Sequence, residues 1–165
     1  MKKIAALFTL ILASISCSNA QPKAFSTDAL EGVLTNPEGK EVSFQSILKS
    51  HEGKTVLIEI WASWCGDCVK AMPKVKEIQA ENPTVDYVFI SMDKSLDKWK
   101  AGIEKHAVKG DNYWVNDANG MKGSFGKSID LDWIPRYIVI NKKGEVVLYR
   151  AIETDFEKIK TELNK

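Results

Sequence analysis

The chain has 165 residues, of which 44% are hydrophobic and 27% are charged. Once a leader is removed, that length and composition suit one domain built around one core. The formal net charge is +1, from 23 basic and 22 acidic residues. The chain therefore lacks the basic excess of a nucleic-acid-binding domain, and we expect no nucleic-acid partner.

Residues 1–20 are predicted to be a signal peptide. Two lysines precede an apolar stretch at 4–15, which is about half of the roughly 20 residues that span a bilayer. Two processing routes stay open: cleavage after Ala20, or lipoprotein processing with Cys17 as the lipidated first residue. Either route places the mature protein in the periplasm or cell envelope, where disulfides persist. Residues 21–29 are expected to be a short, poorly ordered lead-in.

Strands and helices are predicted to alternate along the rest of the chain. A turn at 36–40 favours a β-hairpin between 32–35 and 41–44. The further predicted elements are a helical turn at 46–50, a strand at 55–61, a helix at 65–81, a strand at 85–91, a helix at 95–106, a loop at 111–120, a short helix at 121–127, a hairpin of 137–141 and 145–149, and a helix at 153–163. This order implies an α/β fold with a mixed central sheet and helices on both faces.

The most informative motif is Cys65-Gly66-Asp67-Cys68, directly behind the apolar strand at 55–61. The third cysteine lies in the predicted leader, so the pair is not expected to join a larger disulfide framework or a four-thiol zinc site. Positions i and i+3 of a first helical turn lie within the about 7 Å between Cα atoms that a disulfide allows. Cys65 would be exposed at the helix start, where free N–H groups and the helix dipole favour thiolate. We expect Cys65 to be the nucleophile and Cys68, more buried, the resolving thiol.

The segment from Trp61 to Cys68, with Pro73 following, resembles the active-site segment of thioredoxins. Ile134-Pro135 resembles that family's cis-proline, which lies opposite the dithiol. With the predicted export and the early hairpin, these features are most similar to the TlpA/ResA-type thioredoxin-like proteins of bacterial envelopes. The resemblance implies a thioredoxin-like domain at 30–165 with an extra N-terminal β-hairpin.

The resemblance also implies roles for single residues. Pro135 would have a cis peptide bond and, with Ile134, would leave backbone open to an extended substrate. Glu59 matches the family's buried acidic residue and would pass a proton to or from Cys68, since a carboxylate in an apolar strand is costly unless protonated or paired. Trp64 would shield the disulfide and add binding surface. A paired or partly solvated Glu59 and a purely packing Trp64 are the alternatives.

Asp67 departs from the resembled pattern, which has proline at that position. A carboxylate beside the pair disfavours the Cys65 thiolate, and a less stabilised reduced form makes the couple more reducing. We therefore expect Asp67 to bias the protein toward donating electrons. The alternative is that Asp67 only complements the helix N-terminus.

These features predict an exported thiol–disulfide oxidoreductase that reduces disulfides in partner proteins and is itself re-reduced by a membrane electron donor. We expect a monomer without cofactor or metal. A thiol peroxidase would need a Pro-x-x-x-Thr/Ser-x-x-Cys segment around its cysteine. Residues 61–65 contain no such Pro or Thr, so this class is disfavoured. A copper-binding module would pair its cysteines with a distant histidine, but His51 and His106 are expected to be solvated. A purely structural disulfide is disfavoured because so short a loop constrains the unfolded chain little.

Overall fold

The structure is a computed structural model that describes residues 21–165. The predicted signal peptide and Cys17 lie outside this range. Within it, no helix is long and apolar enough to span a bilayer. The strands are β1 (Val33–Thr35), β2 (Glu41–Ser43), β3 (Val56–Trp61), β4 (Asp86–Ser91), β5 (Asp111–Trp114), β6 (Arg136–Ile140) and β7 (Val146–Ala151). The helices are α1 (Thr27–Leu30), α2 (Phe44–Ser50), α3 (Gly66–Glu81), α4 (Leu96–His106), α5 (Ser124–Ser128) and α6 (Phe156–Leu163), with a 3-10 turn at Gly120–Lys122.

The strands of residues 21–165 form one mixed sheet in the order β2-β1-β5-β4-β3-β6-β7. The pairs β3–β4 and β4–β5 are parallel, and the remaining pairs are antiparallel. This arrangement confirms the predicted α/β fold and both predicted hairpins.

Strand β3 is the structural basis of the site. All six of its residues are buried between β4 and β6, which explains its nearly continuous apolar sequence. The chain leaves β3 at Trp61 and enters α3 at Gly66 after a short loop. The cysteine pair therefore lies at the carboxyl end of a central, fully packed strand.

The segment 111–120 was predicted to be a loop, but its first four residues form β5. Asp and Asn are unfavourable in strands, so the local sequence hides this element. Pairing with β4 on one side and β1 on the other brings it into the sheet. Trp114 is buried, and its Nε1–H donates to the Asp93 carbonyl oxygen at 2.7 Å. Strand β5 thus joins the N-terminal hairpin to the main sheet.

Residues 21–29 are more structured than expected. The Gln21 side chain donates to the Val147 carbonyl oxygen at 2.6 Å and accepts from the Tyr149 N–H at 3.2 Å. Phe25 packs against the core. This segment pairs with the edge of β7, whose N–H and C=O groups would otherwise face solvent.

The expectation of a solvated His51 is wrong. Its side chain is 7% exposed, with Nδ1 2.8 Å from Asp86 and Nε2 3.3 Å from Asp111. These carboxylates belong to the first residues of β4 and β5, at the opposite edge of the sheet from the cysteine pair. His106 is partly buried, and its ring packs edge-on against Trp61 with 6.4 Å between ring centroids. Neither ring is the solvated surface group that the sequence predicted.

Candidate active site

Cys65 and Cys68 form a disulfide with 5.3 Å between their Cα atoms. Cys65 is the N-cap of α3, and its Sγ accepts the backbone N–H of Cys68 at 3.1 Å. The first turn of α3 therefore presents a donor directly to the predicted attacking sulfur. Cys65 is 6% exposed and Cys68 is 0% exposed. The order of exposure is as expected, but Cys65 is more covered than the sequence predicted.

The cover over Cys65 comes from the segment before β6. The Ile134 carbonyl oxygen lies 3.6 Å from Cys65 Sγ, although 69 residues separate them in the chain. The Ile134–Pro135 peptide bond is cis, as the resemblance implied. The structure thus brings together the two segments that the sequence singled out.

A cavity of about 230 Å³ opens above the pair. Its lining is formed by Trp64, Cys65, Gly66, Asp67, Met121, Trp133 and Ile134. Trp64 is 54% exposed and Trp133 is 52% exposed, so burial in the core does not account for either ring. The sequence reasoning missed Trp133 and Met121. For Trp133, a large aromatic residue directly beside the predicted cis-proline segment was the available signal.

Glu59 is buried within β3, with 1% of its surface exposed. The Tyr137 hydroxyl donates to Oε1 at 3.4 Å, whereas Oε2 has no hydrogen-bond partner. Burial raises the pKa of Glu59 to about 8, and the bond from Tyr137 opposes that rise. The carboxyl group can therefore hold or release a proton near neutral pH. The predicted alternative of a partly solvated Glu59 is wrong.

Asp67 lies in the first turn of α3 and lines the same cavity as Cys65. Its side chain is partly exposed, with Oδ1 3.7 Å from the Lys70 ammonium. Lys70 offsets part of the negative charge near the pair, and solvent screens the rest.

A buried carboxylate that the sequence reasoning missed anchors the loop between β3 and Cys65. Asp93 is 2% exposed. It accepts hydrogen bonds from the Ser63 N–H at 3.0 Å, the Ser63 hydroxyl at 2.6 Å and the Ser91 hydroxyl at 2.8 Å. On the other side, a Cβ at Gly102 would lie 2.5 Å from the Ser63 Cβ. Ser63 is therefore held between the segment that follows β4 and helix α4, two residues before Cys65.

A second charged cluster holds the loop before Pro135. Asp132 accepts hydrogen bonds from both Arg136 and Arg150. The Arg136 side chain is almost fully buried, and burial lowers its pKa while the charge of Asp132 opposes that effect. Because Asp132 and Arg136 flank Trp133 and Ile134 in sequence, this ion pair braces the segment that covers Cys65.

The part of the chain that the structure describes contains no group of three or more His, Cys, Asp or Glu side chains placed to hold a metal ion. His51, one of the two histidines considered for a copper site, is hydrogen-bonded to Asp86 and lies 3.3 Å from Asp111, at the far edge of the sheet.

Comparison with known proteins supports this picture. A family model described as thioredoxin-like matches residues 53–146. The thiol–disulfide oxidoreductase ResA of Bacillus thuringiensis is 25% identical over 177 residues, covering 100% of this chain and 98% of the relative. ResA of Bacillus cereus is 27% identical over 133 residues, covering 81% of this chain and 73% of the relative.

Solved structures show the same fold. A secreted Mycobacterium tuberculosis disulfide oxidoreductase, described as homologous to E. coli DsbE, superposes with a TM-score of 0.63 at 18% identity, over 84% of this chain and 98% of that one. A thiol–disulfide oxidoreductase from Bacteroides fragilis has a TM-score of 0.61 at 22% identity, over 79% of this chain and 95% of that one.

Proposed function

Because this chain belongs to the thioredoxin-like family and is a thiol–disulfide oxidoreductase, we propose that it is exported and reduces disulfide bonds in partner proteins through Cys65 and Cys68. The observation that carries the proposal is the 3.6 Å approach of Cys65 Sγ to the Ile134 carbonyl oxygen. Together with the mostly apolar cavity that Cys65 and Ile134 both border, this contact supports docking of a partner segment beside the dithiol.

The reaction begins from the reduced pair. The Cys65 thiolate attacks one sulfur of the partner disulfide, which breaks that bond, forms a mixed disulfide and releases one partner thiolate. Cys68 then loses its proton and attacks Cys65 Sγ. The second partner thiol leaves, the Cys65–Cys68 bond forms, and two electrons have passed to the partner.

Glu59 is the proposed proton acceptor for the second step. Cys68 is fully buried, so water has little access to its thiol. A buried carboxyl group with a pKa of about 8 matches the operating pH, as general acid–base chemistry requires. Tyr137 holds one oxygen of Glu59, and the other oxygen stays free for exchange.

Trp64, Ile134 and Pro135 are the proposed docking residues. The exposed Trp64 ring and Ile134 line the same cavity beside Cys65, and the Ile134 carbonyl oxygen lies 3.6 Å from Cys65 Sγ. An extended partner segment would lie along the 134–135 backbone with its disulfide over Cys65.

Asp67 is the proposed cause of a bias toward reduction, because its carboxylate borders the cavity that holds Cys65.

The oxidised Cys65–Cys68 pair must be reduced again by an electron donor, which we propose to be a membrane protein. The dithiol chemistry itself needs no cofactor. The mature protein would begin at Cys17 if it is processed as a lipoprotein and after Ala20 otherwise. In both cases we propose that its thioredoxin-like domain, residues 30–165, acts as a monomer. A Cys17→Ser variant separates the two processing routes: membrane retention that this change abolishes identifies the lipoprotein.

The proposal is tested by electron transfer to a disulfide-bonded model protein. The protein is reduced, desalted and mixed with that substrate, and thiols are counted by alkylation and mass shift. We expect substrate disulfides to be lost as Cys65–Cys68 forms, and Cys65→Ser to be inactive. We also expect a reduction potential nearer the roughly −270 mV of thioredoxin than the roughly −120 mV of a strong oxidant. A value near the second figure would contradict reduction as the function.

A further inference from the structure

Two large aromatic side chains are exposed on the same side of the molecule. Within residues 21–165, the exposed large hydrophobic residues are Val33, Trp64 and Trp133, each more than half exposed. Both tryptophans line the cavity beside Cys65. Met121, which packs against the core, lines it as well. Tryptophan and methionine are enriched where proteins bind partners, and tryptophan often contributes much of the binding energy.

The wall of the cavity that Trp64 forms is held in place by the loop before Cys65. Trp64 follows Ser63, which is fixed by two hydrogen bonds to the buried Asp93 and by close contact with Gly102. The backbone that presents the Trp64 ring is therefore ordered before any partner binds.

The other wall is also held in place. Asp132, directly before Trp133, is bonded to Arg136 and Arg150. Met121 lies against α5, where a Cβ at Gly126 would come within 2.1 Å of the Met121 carbonyl oxygen. A cavity that is formed in advance loses little conformational entropy when it is filled.

The position and size of the cavity define its occupant. A partner cysteine must come into contact with Cys65 Sγ, although Cys65 is only 6% exposed. The residue next to that cysteine therefore lies beside the cavity that Cys65 borders. A volume of about 230 Å³ is below the roughly 300–1,000 Å³ of small-molecule pockets, and it suits one large side chain.

We propose that Trp64, Trp133 and Met121 form a specificity pocket for a large apolar side chain next to the target cysteine of the partner. The inference rests on the proposed function, because it names the partner segments that the same site selects. Filling the pocket while the mixed disulfide forms favours partners with such a residue by about tenfold or more over partners with glycine there.

The test uses two synthetic peptides that each form a disulfide-linked dimer. They are identical except that the cysteine is flanked by phenylalanine in one and by glycine in the other. The pre-reduced protein is mixed with each peptide, quenched by alkylation and analysed by mass spectrometry. Each rate is divided by the rate of the same peptide with dithiothreitol, which removes differences in intrinsic reactivity. We expect a normalised preference for the phenylalanine peptide of about tenfold.

The variants assign the preference to the pocket. Trp133→Ala and Met121→Ala should each reduce the preference severalfold, whereas Val33→Ala, which removes an exposed apolar side chain elsewhere, should leave it unchanged. Equal normalised rates for the two peptides, or equal losses in Val33→Ala and Trp133→Ala, would overturn the pocket and leave disulfide reduction intact. Failure of the wild-type protein to reduce either peptide would instead refute the proposed function.

Discussion

Replacing Glu59 by glutamine should remove a large pH dependence of stability. Burial raises the pKa of Glu59 from its ordinary value of 4.5 to about 8, and a rise of about 3.5 corresponds to about 5 kcal/mol at 1.36 kcal/mol per pKa unit. Because the folded state holds this proton more tightly, the unfolded chain releases it first as pH rises. The stability that the protonated group contributes is full below about pH 4.5 and is lost progressively up to about pH 8. The wild-type free energy of unfolding should therefore fall by about 1.4 kcal/mol per pH unit across this window from this group alone.

Urea unfolding of the oxidised protein, followed by circular dichroism from pH 4 to pH 9, measures this effect. The difference in unfolding free energy between wild type and Glu59→Gln should change by about 3 kcal/mol between pH 5 and pH 7, with the variant gaining relative stability at higher pH. Glu41→Gln is the matched control, because Glu41 is an exposed carboxylate on β2, and it should keep the wild-type profile. Parallel curves for wild type and Glu59→Gln would refute the raised pKa of Glu59 on which the proposed proton transfer depends.

Substitutions of Asp67, Asp93 and Gly102, with Gly66 as a control, test the contacts around the cysteine pair. Asp67→Asn should raise the reduction potential measured against glutathione, because it removes the negative charge beside the dithiol; an unchanged or lower potential would exclude that role. Asp93→Ala should lower the free energy of unfolding by about 3 kcal/mol, since it removes the acceptor of the buried Ser91 hydroxyl and of the half-buried N–H and hydroxyl of Ser63; a loss well under 1 kcal/mol would contradict the anchor. Gly102→Ala should lower the free energy of unfolding by about 1–3 kcal/mol by overpacking against Ser63, whereas the control Gly66→Ala, where an added Cβ meets open space, should be neutral or stabilising; thermal unfolding measures both.

The dithiol was predictable because its chemistry is local. Two cysteines three positions apart behind an apolar strand predict a helix start that can close a disulfide, and the structure has that geometry. The cis bond at Pro135 and the burial of Glu59 were also predicted, but from family resemblance. Without the resemblance, physical chemistry predicts only that a carboxylate in an apolar strand is energetically unfavourable unless it is protonated or paired.

The remaining features depend on contacts between distant segments. Asp93 reads as one acidic residue after a strand, and only the folded chain shows that it anchors Ser63, 30 residues earlier. His51 was expected in solvent because its neighbours in sequence are polar. In the structure it is buried beside Asp86 and Asp111, the first residues of β4 and β5. Strand β5 escaped prediction for the same reason, since its pairing partners outweigh its unfavourable composition.

Trapping of the mixed disulfide in cells tests directly whether Cys65 attacks a partner disulfide and Cys68 resolves the complex. In Cys68→Ser the attack by Cys65 can proceed but the second step cannot, so covalent complexes with partner proteins should accumulate. Cys65→Ser removes the attacking sulfur and should accumulate none. Affinity-tagged variants are compared on non-reducing gels after acid quenching and alkylation, and mass spectrometry identifies the captured proteins. Reducible complexes in Cys68→Ser alone are the expected result and would identify Cys65 as the nucleophile. Equal trapping by both variants, or trapping by Cys65→Ser alone, would contradict the assignment of Cys65 as the nucleophile.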